Sequence, residues 1–225
     1  MSSAPAILRA APPRGRARVL SFTFDDGPDE TWTPLVLDAL ARCEVTGTFF
    51  MVGERVLAQP DLADAVRAAG HDVQLHCHRH VRHTELTKAA LYLDTETALA
   101  ALACVGVRPK LWRTPWGVCT EASARVAELF GLRLVHWSID AHDWRGDESR
   151  AMLAQCYVRL TDGGSVLMHD ALGPGAQRRG CENTLALLPA LAAAARAHGL
   201  ALAPVPHQVR DVPRAISQPA IGVPA

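Results

Sequence analysis

Residues 19–28 read Val19-Leu20-Ser21-Phe22-Thr23-Phe24-Asp25-Asp26-Gly27-Pro28, an apolar, aromatic and β-branched run that ends in two adjacent carboxylates and a turn. The run has the composition of a buried strand and Gly27-Pro28 breaks it, which sets Asp25 and Asp26 at the strand's C-terminal mouth. In β/α architectures that end carries the chemistry. Neighbouring carboxylates repel, and they persist side by side where a metal, a base or a proton divides their roles. Taken alone, the segment reads equally well as an acidic surface turn.

A second cluster, Gly70-His71-Asp72-Val73-Gln74-Leu75-His76-Cys77-His78-Arg79-His80, follows another short apolar strand. His76 and His80 are four residues apart, a spacing that puts both imidazoles on one face of a helical turn. With one carboxylate from the first cluster they make a His-His-Asp set able to hold a divalent ion and leave positions open for water and substrate.

Between and beyond these clusters, turn residues divide the chain into short apolar runs and longer helical patterns. After the first strand, Trp32, Val36, Leu37 and Leu40 share one helical face. Further strands are expected at 46–52, 71–75, 110–113, 132–138, 165–168 and 200–205, and further helices around 62–69, 87–105, 121–130, 148–160 and 182–198. This alternation predicts a single α/β domain built as a closed or nearly closed parallel barrel, with an open doubly wound sheet as the alternative. The expected boundaries are an N-terminal extension over 1–16, a catalytic domain over 17–206 and a Pro-rich tail over 207–225.

A chain of 225 residues can bury a sizeable core without disulfides. Its 23 basic and 23 acidic side chains cancel, which argues against nucleic acid and anionic membranes as partners. The six cysteines form no Cys-x-x-Cys pair and read as small buried hydrophobes. Residues 1–18 lack the apolar core of a signal peptide, so a cytoplasmic location is expected.

Five segments in order resemble the polysaccharide deacetylase family, carbohydrate esterase family 4: Thr23 to Pro28, His76 to His80, Arg113-Thr114-Pro115-Trp116-Gly117, Asp140-Ala141-His142-Asp143-Trp144 and Leu167-Met168-His169. The resemblance implies a distorted (β/α)7 barrel and removal of N-acetyl groups from amino sugars. It implies that Asp26, His76 and His80 bind one divalent ion, zinc with cobalt or nickel as alternatives. Asp25 stays off the ion and takes a proton from the attacking water, with Arg113 keeping it oriented and ionised. His169 is the general acid, and Asp143 hydrogen-bonds it and raises its pKa. Trp116 offers a backbone N–H to the oxyanion and walls the cleft, while Leu167 and Trp144 line a small pocket for the acetyl methyl.

The chain departs from the family at Cys77, where Ser or Thr is usual, and adds His78 and His83 to the same loop as rival ligands. Asp140 is expected either to pair with the arginine or to hold its loop. The Gly-rich segment 170–181 lies beside His169, and its Arg178 and Arg179 are expected to be solvated or to read an anionic substrate. The leading expectation is an N-deacetylase of a soluble acetamido sugar, with the oligomeric state open. Deacetylation of polymeric chitin or peptidoglycan, hydrolysis of a cyclic amide or ureide, and an inactive sugar-binding domain are the alternatives. Retention of Asp26, His76 and His80 argues against the metal-free versions.

Overall fold

The structure is a computed structural model that describes residues 17–207. The expected extension over 1–16 and the tail over 207–225, His207 apart, lie outside the described residues. The elements run β1 (Val19–Asp25), α1 (Trp32–Arg42), β2 (Thr48–Val52), α2 (Gly53–Ala58), α3 (Pro60–Ala68), β3 (Asp72–Cys77), α4 (Lys88–Cys104), β4 (Leu111–Trp112), α5 (Glu121–Leu129), β5 (Arg133–Leu134), β6 (Ile139–Asp140), α6 (Ser149–Tyr157), β7 (Gly164–His169), α7 (Glu182–Ala197) and β8 (Ala201–Leu202). No described helix is long and apolar enough to cross a membrane.

All pairings are parallel, in the order β5-β4-β3-β2-β1-β7-β6, with β8 added beside the start of β1. The two outermost strands, β5 and β6, are joined only by residues 135–138. That connection spans at most about 18 Å, whereas seven strands laid flat would hold their outer pair about 29 Å apart. The sheet therefore curls until its edges approach, giving a half-barrel wrapped by helices, the distorted (β/α)7 architecture.

The same gap explains the main departure from expectation. The run 132–138 is not one strand: the chain pairs with β4 as β5, crosses the opening outside the strand ladder, and pairs with β7 as β6. The expected strand over 200–205 is reduced to β8, and α2 precedes the anticipated helix, which begins at Pro60.

Alternation along β1 separates two environments. Leu20, Phe22 and Phe24 join Val36 and Leu40 of α1 and Leu187, Leu188 and Leu191 of α7 in the main core; each such side chain contributes on the order of 1.5–3 kcal/mol on burial. Ser21, Thr23 and Asp25 are also buried but alternate with this set, toward the barrel interior. A small separate cluster of Phe50, Leu111, Val135 and Val205 fills that interior. Polar residues at the strand ends thus stand over an apolar plug.

Candidate functional site

Asp26 leaves β1 with φ +78°, a conformation that Asp tolerates better than most residues. Its Oδ1 lies 3.4 Å from His76 Nε2 and 3.1 Å from His80 Nε2. The candidate ligand atoms of the three residues all fall within 4.8 Å of one another. The two histidines do not share a helical turn, as their spacing had suggested. His76 is on β3 and His80 lies in the loop beyond it, because the strand continues to Cys77 before the chain bends.

The loop is held from α4: Asp94 Oδ2 accepts from the His78 backbone N–H and Asp94 Oδ1 from that of Arg79, both at 2.9 Å. His76 Nδ1 lies 2.7 Å from the Arg113 carbonyl, which can only accept. Nδ1 therefore carries a proton, which leaves Nε2 as the atom turned toward Asp26 and available to a metal. Asp26 Oδ1 is buried without a hydrogen bond of acceptable geometry. Burial pushes its carboxyl up, but the facing imidazoles and the nearby His169 hold it well below the usual range. An unpartnered carboxylate oxygen between two imidazole nitrogens fits a divalent cation.

The rival residues fall elsewhere. His83 Nδ1 sits 2.8 Å from Ser123 Oγ, its ring packs on Trp112, and burial pulls its pKa down to about 4, so it is a neutral structural histidine. His78 is outside the ligand cluster, against Gly53. Cys77 is buried outside the ligand cluster, and desolvation raises its thiol well above the ordinary value.

Beside this centre, strand register sets Asp25 opposite His169 on β7 and Thr23 opposite Leu167. The Arg113 side chain is 0% exposed. Its Nη1 donates to Asp25 Oδ1 and to Thr23 Oγ1, each at 2.8 Å, and its guanidinium stacks 4.1 Å from the Phe50 ring. One residue thus grips Asp25 through its side chain and His76 through its carbonyl. Leu167 is buried on the same side as Asp25 and His169. Trp116, at φ +52°, meets His80 edge-on at 4.2 Å and carries Arg82 stacked 4.2 Å above its ring.

On the far side of Asp25, His169 Nδ1 is 2.8 Å from Asp143 Oδ1, and the His169 backbone N–H donates to Asp143 Oδ2 at 2.8 Å. Burial lowers the imidazole pKa, but the Asp143 charge and hydrogen bond outweigh it and raise His169 to about 9. Burial likewise opposes ionisation of Asp143, yet His169 and Arg178 hold it at about 2. Asp140 does not pair with Arg113: its Oδ1 accepts from the His142 backbone N–H at 2.7 Å and so shapes its own loop. Trp144 carries Arg145 over its ring at 5.0 Å and accepts at its carbonyl from Gln177 N at 2.8 Å.

Arg178 is the clearest correction. It is neither solvated nor directed at substrate but buried behind Asp143, to which Nη1 donates at 3.1 Å. Thr184 Oγ1 also donates to Asp143 Oδ2, at 2.7 Å. Neither contact had a local sequence signal, since both partners are more than thirty residues from Asp143.

The 170–181 segment runs past all parts of the site. A Cβ added at Gly173 would overlap Asp26 Oδ2, and one at Gly175 would lie 3.7 Å from Trp116 Nε1. Gly173→Ala is accordingly expected to leave the fold intact, since a side-chain terminus can yield, but to displace a ligand and weaken metal affinity about tenfold or more, a cost of ~1.4 kcal/mol upward. Titration with metal and thermal melting of the same protein separate the two effects. Unchanged affinity would mean that Asp26 does not need the room Gly173 leaves it.

Comparison with known proteins now bears on this geometry. Residues 13–135 match the polysaccharide deacetylase family. The chain is 32% identical over 197 residues to a chitooligosaccharide deacetylase of Bradyrhizobium sp. (strain ANU 289), covering 84% of this chain and 90% of that protein. A peptidoglycan-N-acetylglucosamine deacetylase of Listeria monocytogenes is 35% identical over 152 residues, 67% of this chain, which spans only 32% of the Listeria protein. Among solved structures, a family 4 carbohydrate esterase from Streptomyces lividans superposes with a TM-score of 0.74 at 31% identity, covering 82% of this chain and 91% of that one. A family 4 pseudoenzyme from Bacillus anthracis reaches 0.79 at 18% identity, covering 90% of this chain and 68% of that one, and at that identity the likeness concerns the fold alone. With the family match spanning more than half of the sequence and the Bradyrhizobium relative matched over most of its length, the chain belongs to the polysaccharide deacetylase family, carbohydrate esterase family 4.

Proposed function

We propose that this metal-dependent deacetylase removes the N-acetyl group of a soluble acetamido sugar, an oligosaccharide or a glycosylated small molecule, in the cytoplasm. The observation that carries the chemistry is the register of Asp25 and His169 on adjoining strands beside the Asp26, His76 and His80 cluster. It supports Asp25 as the proton acceptor and His169 as the proton donor. The small substrate is supported by the match to an oligosaccharide-acting relative along 90% of its length. All six cysteines are free, which supports a reducing compartment.

Asp26, His76 and His80 would hold the ion, and two imidazoles with one carboxylate suit zinc, with cobalt or nickel as alternatives. When bound, it supplies Lewis acidity toward the amide carbonyl and a lowered pKa for water. Asp25 takes the proton of the attacking water at Oδ2, the oxygen that Arg113 leaves open. Arg113 keeps that carboxylate ionised and aimed. The Trp116 backbone N–H is assigned to the developing oxyanion. His169, engaged at Nδ1 by Asp143, gives its Nε2 proton to the leaving nitrogen. Leu167 and Trp144 are assigned to the acetyl pocket.

The direct test incubates purified, metal-loaded protein with N-acetylglucosamine oligomers of graded length, chitin and peptidoglycan, and follows free acetate and amine by mass spectrometry. Acetate released fastest from short soluble oligomers supports the proposal. Preference for an insoluble polymer favours the second reading, a cell-wall deacetylase, for which the identity to the Listeria enzyme speaks. No acetate from any acetamido sugar overturns both.

A further inference from the structure

We infer that Arg178 is the positioning residue of the acid half of the site, holding His169 in its proton-donating geometry through Asp143; the inference rests on the deacetylase function proposed above. The sheet does this only in part, through the His169 backbone N–H that donates to Asp143 Oδ2 at 2.8 Å. The ladder between β6 and β7 stops at the pair Asp140 and Leu167, two residues short of His169, and Asp143 lies beyond the end of a two-residue edge strand. Asp143 opens a single 3-10 turn over Asp143–Arg145, flanked by His142 at φ +58° and Gly146 at φ +85°, and this turn lies outside the strand ladder. Whatever else aims the Asp143 carboxylate comes from side chains.

Arg178, 9% exposed, supplies them from one guanidinium. Nη1 donates to Asp143 Oδ2 at 3.1 Å, to Asn183 Oδ1 at 2.9 Å and to Thr184 Oγ1 at 2.5 Å. Nη2 donates to the His169 carbonyl at 3.1 Å, to the Ala171 carbonyl at 3.4 Å and to Cys181 Sγ at 3.0 Å. The two partners recruited at the start of α7 act on the same residue, one on its carboxylate and one on its main chain. Thr184 Oγ1 donates a hydrogen bond to Asp143 Oδ2 at 2.7 Å, and Asn183 Nδ2 donates to the Asp143 carbonyl at 2.8 Å.

Arg178 therefore bridges Asp143 to the backbone on both sides of Asp170, binding the residue that orients the imidazole and the chain that carries it. Its planar fork spans these acceptors at once, which a lysine ammonium cannot. Its charge also stands opposite the only carboxylate among its bonded partners, so Asp143 remains an acceptor for the imidazole N–H.

A role confined to the acid has a chemical signature. Cleavage of an amide expels a poor leaving group that must be protonated, whereas para-nitrophenyl acetate expels a phenolate that departs without a proton. Arg178→Met is expected to lower kcat on an N-acetyl oligosaccharide about 100-fold, the low end of general acid catalysis, with KM changed less than about threefold. Turnover of para-nitrophenyl acetate by the same protein should stay within about threefold of wild type, because it does not draw on the proton that general acid catalysis supplies. Arg178→Lys should recover part of the amide activity. If the Met protein does not fold, Thr184→Val removes one donor from Asp143 while keeping Arg178, and should show the same amide-selective loss in smaller measure. Equal losses on amide and ester, or loss in neither, overturn the inference. A wild-type protein that cleaves the ester but no acetamido sugar instead overturns the deacetylase function itself.

Discussion

His76→Ala and His80→Ala proteins are expected to lose their stoichiometric divalent ion and, with it, deacetylation by about 10³-fold or more, while His78→Ala keeps both. The magnitude follows from losing several kcal/mol of transition-state stabilisation at about tenfold per 1.4 kcal/mol. The discrimination follows from geometry: His76 and His80 present Nε2 to Asp26, whereas His78 lies against Gly53 at the junction of α2 and the β3 loop. Metal analysis of the three purified proteins, with turnover measured on the same samples, checks the assignment. A stoichiometric ion in the His76→Ala and His80→Ala proteins, together with its loss from His78→Ala, would sink it.

Asp25→Asn is expected to separate metal binding from catalysis. The asparagine keeps its metal, because Asp25 is not in the ligand cluster, yet loses activity by about 10²–10⁴-fold, the range of general base catalysis. Stability falls as well. Arg113 is fully buried and loses its carboxylate partner, a change worth about 3–5 kcal/mol and on the order of 10 °C in melting temperature. Assays belong well below that midpoint. The pH dependence of the wild type supplies a further check on the acid. With His169 as the proposed acid and its pKa raised to about 9, turnover is expected to persist through neutrality and to fall as pH rises through that region. Loss of metal together with activity in Asp25→Asn would make Asp25 a ligand and end the division of labour between the adjacent aspartates.

Much of the site was legible because its chemistry is written in local patterns. Asp25 and Asp26 end an apolar run at a turn, and His76 and His80 flank the end of another, so strand-end placement could be inferred without tertiary information. What escaped notice depends on contacts between distant segments. Arg178 looks like any loop arginine until α7 and the β6 turn close around it, and Gly173 reveals its role only against Asp26. The split of 132–138 into β5 and β6 was hidden for a different reason. Its hydrophobicity is continuous, and only closure of the sheet dictates that the chain leaves one edge and joins the other.

The register of β1 has a consequence for how such a protein can diversify. Asp25 is opposite Phe50 on one side and His169 on the other, so a single insertion or deletion within β1 would turn the carboxylate out of the interior, and one within β7 would do the same to the imidazole. The segment between Gly173 and Gln177, by contrast, hangs outside the ladder while brushing Asp26, Trp116 and Trp144. Lineages descended from this scaffold are thus free to lengthen or rewrite that fringe, Gly173 itself excepted, and acquire new substrates, while their mutational paths through the strands remain closed.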